Sequence, residues 1–147
     1  MFADLMNRLL GETPPENPQA DYRTALAALL VRCAKVDGVY DPSEQAMVSQ
    51  ILTDRYGLDA PHAAQLKAEG EALEADAGDT VHLTRLIKDG VPYEERIAVV
   101  EALWRVVLAD ETRDAEENAF LRLVVSLIGV NDRDSGLARQ RVVSDLS

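Results

Sequence analysis

The sequence predicts an all-α protein: a compact domain of six to seven helices built around two pseudo-repeated helical hairpins. Three observations carry this expectation. Apolar residues recur at helical spacing, and no sustained period-two alternation appears anywhere in the 147 residues. Gly57, Gly90 and Gly129 stand where periodic stretches end. A helix–acidic turn–helix pattern occurs twice. Aromatics make up only 5% of the chain, so the core must be built mainly from Ala, Leu, Val and Ile, which suits closely packed helices.

Phe2, Leu5, Met6, Leu9 and Leu10 share one face of a short N-terminal helix, expected over residues 1–11. It could dock on the domain, self-associate or touch a membrane; one arginine, Arg8, against the two acids Asp4 and Glu12 argues against a membrane-surface helix. Residues 12–20 hold three prolines and read as a linker, because proline inside a helix removes a donor and clashes with the preceding turn. The helical domain is then expected over residues 21–147.

Its first helix, about residues 20–36, shows a stripe of Tyr22, Ala25, Leu26, Leu29, Leu30, Cys33 and Val36. The second, about 42–56, turns Met47, Val48, Ile51 and Leu52 inward. A third, from near Asp59, is more polar and expected at the periphery, with Gly70 as a weak point. Its acids Glu71, Glu74 and Asp76 read as a solvated face. Asp79 or Thr80 can cap a fourth helix. Pro92 opens a fifth, whose apolar second half (Ala102, Leu103, Trp104, Val106, Val107, Leu108) predicts a central, buried position. A sixth spans about 115–128, with Phe120, Leu121, Leu123 and Val124 among its apolar residues, and a seventh closes the chain.

The net charge of −11 excludes an overall basic footprint for nucleic acid and makes cations or basic protein surfaces the natural partners. No segment approaches the ~20 apolar residues of a bilayer span. The N-terminus carries acids and lacks the basic flank of a signal peptide, so a cytoplasmic protein is expected. Cys33 is the only cysteine and is expected as a buried thiol, which leaves no intramolecular disulfide or dithiol chemistry. His62 and His82 lack i, i+4 partners for a zinc site. No phosphate loop or nucleophile elbow is present.

The repeat centres on "AKVDGVYDPSE". Asp37, Asp41 and Glu44 recur 73 residues later as Asp110, Asp114 and Glu117, and Leu30, Arg32 and Ala46 recur as Leu103, Arg105 and Ala119. Each hairpin cannot bury its apolar face alone, so the two are expected to pack together. Asp41 and Asp114 directly precede predicted helices and suit N-caps, with Glu44 and Glu117 completing capping boxes. Asp37 and Asp110 fall at helix C-termini, where the dipole disfavours a carboxylate. Three carboxylates within eight residues can hold a hard cation such as Ca²⁺ or Mg²⁺ through oxygen ligands, although the spacing is not that of an EF-hand.

On "AKVDGVYDPSEQAMVSQIL", "HLTRLIKDGVPYEERIAVVEALWRVVLADETRDAEENAFLRLVVSLIGV" and "DRDSGLARQR", the chain resembles the tellurite-resistance protein B (TerB-like) family over about residues 20–141. The resemblance implies an all-helical, non-catalytic domain linked to tellurite resistance and stress response, suspected of binding metal ions and of working in membrane-associated assemblies. It carries Asp37, Asp41, Glu44, Asp110, Asp114 and Glu117 over as the acidic positions. The family's second turn usually repeats Asp-Gly, where this chain has Asp110–Glu111. The reading is a non-enzymatic module that binds a divalent cation or a basic protein partner through its acidic turns. A metal-assisted hydrolase using paired carboxylates and a scaffold whose acids only cap helices remain the alternatives.

Overall fold

A computed structural model describes residues 18–36, 40, 42–76, 79–109 and 115–146. Among them are seven helices and no strand: α1 (Pro18–Ala34), α2 (Pro42–Tyr56), α3 (Ala60–Asp76), α4 (Thr80–Gly90), α5 (Tyr93–Ala109), α6 (Ala115–Leu127) and α7 (Asp132–Leu146). The all-α class is as the periodicity predicts. The N-terminal helix expected over 1–11 lies outside the described residues. α1 opens on Pro18, whose missing N–H would have had no intrahelical partner in the first turn.

The central element is α1, not α5. Every residue from Ala25 to Val31, together with Cys33 and Ala34, is at most 1% exposed, so the helix is buried on all sides rather than along a stripe. It touches α2, α3, α4, α5 and α6. Its alanines make this possible: Ala25, Ala27, Ala28 and Ala34 leave room for neighbouring backbones, while Leu26, Leu29 and Leu30 fill the spaces between them. In α5 the inward side holds Val99, Val100, Leu103, Val106 and Val107, whereas Trp104 and Leu108 are only half-buried.

Helix α3 is likewise not peripheral. It forms the most extensive helix–helix contact of α1. Ala63, Leu66 and Gly70 make its buried face. A Cβ at Gly70 would stand 2.5 Å from Ala27 Cβ and 2.8 Å from the Ala27 carbonyl carbon. The glycine that weakens the helix by propensity is what lets it lie directly on α1. In α6, Leu121, Val124 and Val125 face inward, but Leu123 is half exposed, because the helical repeat puts it on the opposite face from those three.

The helix ends follow from local chemistry. Asp79 caps α4, accepting from the His82 N–H at 3.0 Å. Asp59 does the same for α3 through the His62 N–H at 2.9 Å, and that bond, with the His62 ring beside it, holds the Asp59 carboxyl below its ordinary range. Gly57 and Gly129 take φ of 63° and 75°, and the next residues, Leu58 and Val130, donate back to Thr53 and Val125. Arg96 of α5 reaches the end of α6 and donates to the Ile128 carbonyl at 2.7 Å. Tyr93 donates to Asp134 at 2.6 Å and accepts from the Asn131 N–H at 3.2 Å, fastening the α6–α7 connection to α5.

The two sequence copies fall on α1–α2 and α5–α6, and α5 packs against both α1 and α2. Their paired arginines both reach acids on other helices: Arg32 meets Glu74 of α3, and Arg105 meets Asp54 of α2 at 3.1 Å. Cys33 is a buried free thiol, as expected. Trp104 packs on the core with its indole N–H 3.3 Å from the Ser135 hydroxyl.

Candidate functional site

The acidic connection between α1 and α2 is bounded by two described ends. α1 runs out in a turn, with the Lys35 N–H on the Val31 carbonyl at 3.0 Å. Tyr40 and then α2 lie on the far side. Asp37 and Asp41 lie outside the described residues. Glu44 is the third residue of α2, the position of a capping-box acid, and is 6% exposed.

Tyr40 organises what surrounds this connection. Its hydroxyl donates to Glu71 Oε2 at 2.9 Å, and its carbonyl accepts from the Gln45 side-chain amide at 3.0 Å. Burial, then the Glu71 hydrogen bond and charge, then the charges of Glu44 and Glu74, raise the phenol above its ordinary value. Three carboxylates from α2 and α3 thus act on one hydroxyl. Sequence reasoning missed this, because it assigned Glu71 and Glu74 to a solvated face. The Glu74 side chain is only 13% exposed, whereas Asp76 is indeed exposed.

Three cations meet the two acids of α3, Glu71 and Glu74. Arg32 approaches Glu74 Oε1 at 3.6 Å, donates to the Glu74 backbone carbonyl at 3.0 Å and reaches the Thr80 hydroxyl at 3.3 Å. Lys35 lies 3.4 Å from Glu74 Oε2 and above the Tyr40 ring. Lys67 lies 3.3 Å from Glu71, an i, i+4 pair that was legible in the sequence. The C-terminal half of α3 and the end of α1 are therefore joined by a partly buried ionic network. Such a network fixes where the turn emerges from the core.

The second acidic connection is described less fully. Asp110 and Asp114 lie outside the described residues. Glu117 belongs to the first turn of α6, and its side chain also lies outside the description. Of the six acidic positions, only Glu44 has a described side chain. Among the described residues, no group of three or more His, Cys, Asp or Glu is arranged to hold a metal ion. His62 is exposed and engaged with Asp59; His82 is exposed near the start of α4. No described helix is long and apolar enough to cross a membrane.

These features, a helical domain with an acidic helix–turn–helix near each end, can be set beside known proteins. No curated protein and no solved structure matches the chain significantly. The family model described as Tellurite resistance protein TerB matches residues 23–140, from the second turn of α1 to well into α7. Because that match takes in all seven described helices, the chain belongs to the TerB family.

Proposed function

We propose that this TerB domain is a non-enzymatic module of the tellurite-resistance and stress-response type. In this reading it binds a divalent cation, a basic protein partner or both through its acidic turns, and it works in the cytoplasm as part of a protein assembly that can include membrane-associated members. The observation that carries the reading is the set of carboxylates of Glu44, Glu71 and Glu74 acting on Tyr40, with Asp41 next to it in the chain. Arg32, Lys35 and Lys67 engage acids of α3, and Asp37, Asp41 and Glu44 are the carboxylates that would supply oxygen donors to a hard cation. The charge of −11 on the whole chain favours the same partners.

Titration calorimetry of the full chain with Ca²⁺, Mg²⁺ and Mn²⁺ tests the cation reading. Binding heat with at least one ion is expected, and it should weaken in Asp37→Asn and Asp41→Asn. Asn caps a helix about as well as Asp, so ion-free melting temperature should hold in Asp41→Asn. No heat and no rise in melting temperature with any ion would remove the cation. An oligolysine peptide tests the basic partner: equal binding by the parent and an Asp37→Asn/Asp41→Asn double variant would remove that half. A large loss of ion-free stability in Asp41→Asn, with cation binding intact, would favour a purely structural turn.

A further inference from the structure

We propose that the cleft between α6 and α7 is a binding site for a small aromatic carboxylate. Both helices pack on α5, and together with it they line a space of about 470 Å³. The half-buried Trp104 of α5 lines it beside Leu121 and Val125 of α6, which are buried. Arg122 of α6, with Ser135 and Gly136 of α7, supplies the other walls that matter.

Gly136 is what points to a ligand. A glycine inside a helix weakens it, so the position calls for a physical reason. Among the described residues every other glycine has one. Gly57 and Gly129 take positive φ, Gly70 lies on Ala27, and Gly90 lies against the Tyr22 ring. Gly136 is helical, a Cβ there would meet nothing within 4 Å, and the residue lines the cleft. Bare backbone beside a cavity lets a flat ring approach closely, and the Trp104 indole offers that ring a stacking surface. The polar groups select what the ring carries. Arg122 is exposed, makes no ion pair among the described residues, and presents the planar fork that grips a carboxylate through two parallel bonds. Ser135 is 8% exposed; its oxygen takes the Trp104 N–H, which leaves the hydroxyl proton for a ligand oxygen. Arg139, over the Trp104 ring at 5.6 Å, adds a second positive charge. The carboxylate in the lining, Asp132, is exposed at the first residue of α7, where the helix dipole favours it. Two guanidinium groups thus face one acid here, in a chain whose net charge is −11.

Trp104 is the only tryptophan, so the fluorescence of the full chain reports on the cleft directly. The test titrates phenylacetate, with acetate and benzyl alcohol as fragments that lack the ring or the charge. Phenylacetate should change the emission saturably, and each fragment should bind about fivefold more weakly or worse. Arg122→Gln, an exposed change that spares the core, should weaken phenylacetate about tenfold and leave benzyl alcohol unaffected. Gly136→Ala places a methyl group in the cleft and should weaken phenylacetate about fivefold while the chain melts higher, so the loss cannot be unfolding. No saturable change up to about 20 mM phenylacetate would overturn the proposal. So would parent-like affinity in both variants, because the probe would then sit elsewhere. A probe-free emission that shifts with protein concentration, together with a dimer in sedimentation equilibrium, would also overturn it, since a second copy would then fill the cleft. None of these outcomes depends on cation binding at the acidic turns.

Discussion

The Tyr40 hydroxyl stands 2.9 Å from Glu71 Oε2, and this contact ties the end of the acidic connection to α3. It also sets a pH dependence. Burial and the Glu71 carboxylate raise the phenol's pKa in the folded chain above the ordinary value of about 10. A raised folded pKa means the contribution is fully present below about pH 10 and is lost as pH rises through the folded value. Unfolding titrations should show stability falling above about pH 10, and the fall should be smaller in Tyr40→Phe. At neutral pH that variant should lose about 1 kcal/mol, the usual size of one hydrogen bond. Tyrosinate absorbance should show one phenol fewer ionising late in the titration.

Gly70 and Gly136 make opposite predictions. A Cβ at Gly70 would press on Ala27, so Gly70→Ala should destabilise by about 1–3 kcal/mol despite better helix propensity. A Cβ at Gly136, inside α7, meets nothing within 4 Å, so Gly136→Ala should stabilise by about 0.5–1 kcal/mol. Denaturant unfolding of the two variants checks both signs at once.

Arg96 closes the end of α6 through the Ile128 carbonyl, with its guanidinium also 5.2 Å from the Tyr93 ring centre. Arg96→Met should lower stability by about 1.5 kcal/mol or more, since the bond involves a charged donor. Amide exchange should accelerate first at Gly129 and Val130, which depend on that turn.

The Arg32–Glu74 contact joins two helices through residues 42 apart in sequence. A double-mutant cycle of Arg32→Ala and Glu74→Ala should return a coupling of about 0.5–3 kcal/mol, as for residues that share one network. Coupling near zero would show that the Arg32 bond to the Glu74 backbone carbonyl, which Glu74→Ala retains, carries the contact.

Much of the fold was legible because it is local. Helical periodicity, the positive-φ stops at Gly57 and Gly129 and the Asp79 cap each depend on residues a few positions apart, and the TerB resemblance rests on the same segments. The candidate site was legible only as a repeated acidic pattern, of which Glu44 alone has a described side chain. The centrality of α1 was not legible. The apolar stripe from Tyr22 to Val36 reads as one buried face until neighbours are seen on every side. Gly70 looked like a weakness because its partner, Ala27, lies far away in sequence. Glu71 and Glu74 looked solvated because Tyr40, Arg32 and Lys35 reach them only across a helix–helix contact. The sequence by itself determined the helices and where most of them stop, through short-range hydrogen bonding and periodic apolarity. Only the tertiary structure decided which helix is central and which acids are paired, because burial and ion pairing depend on distances that packing alone sets.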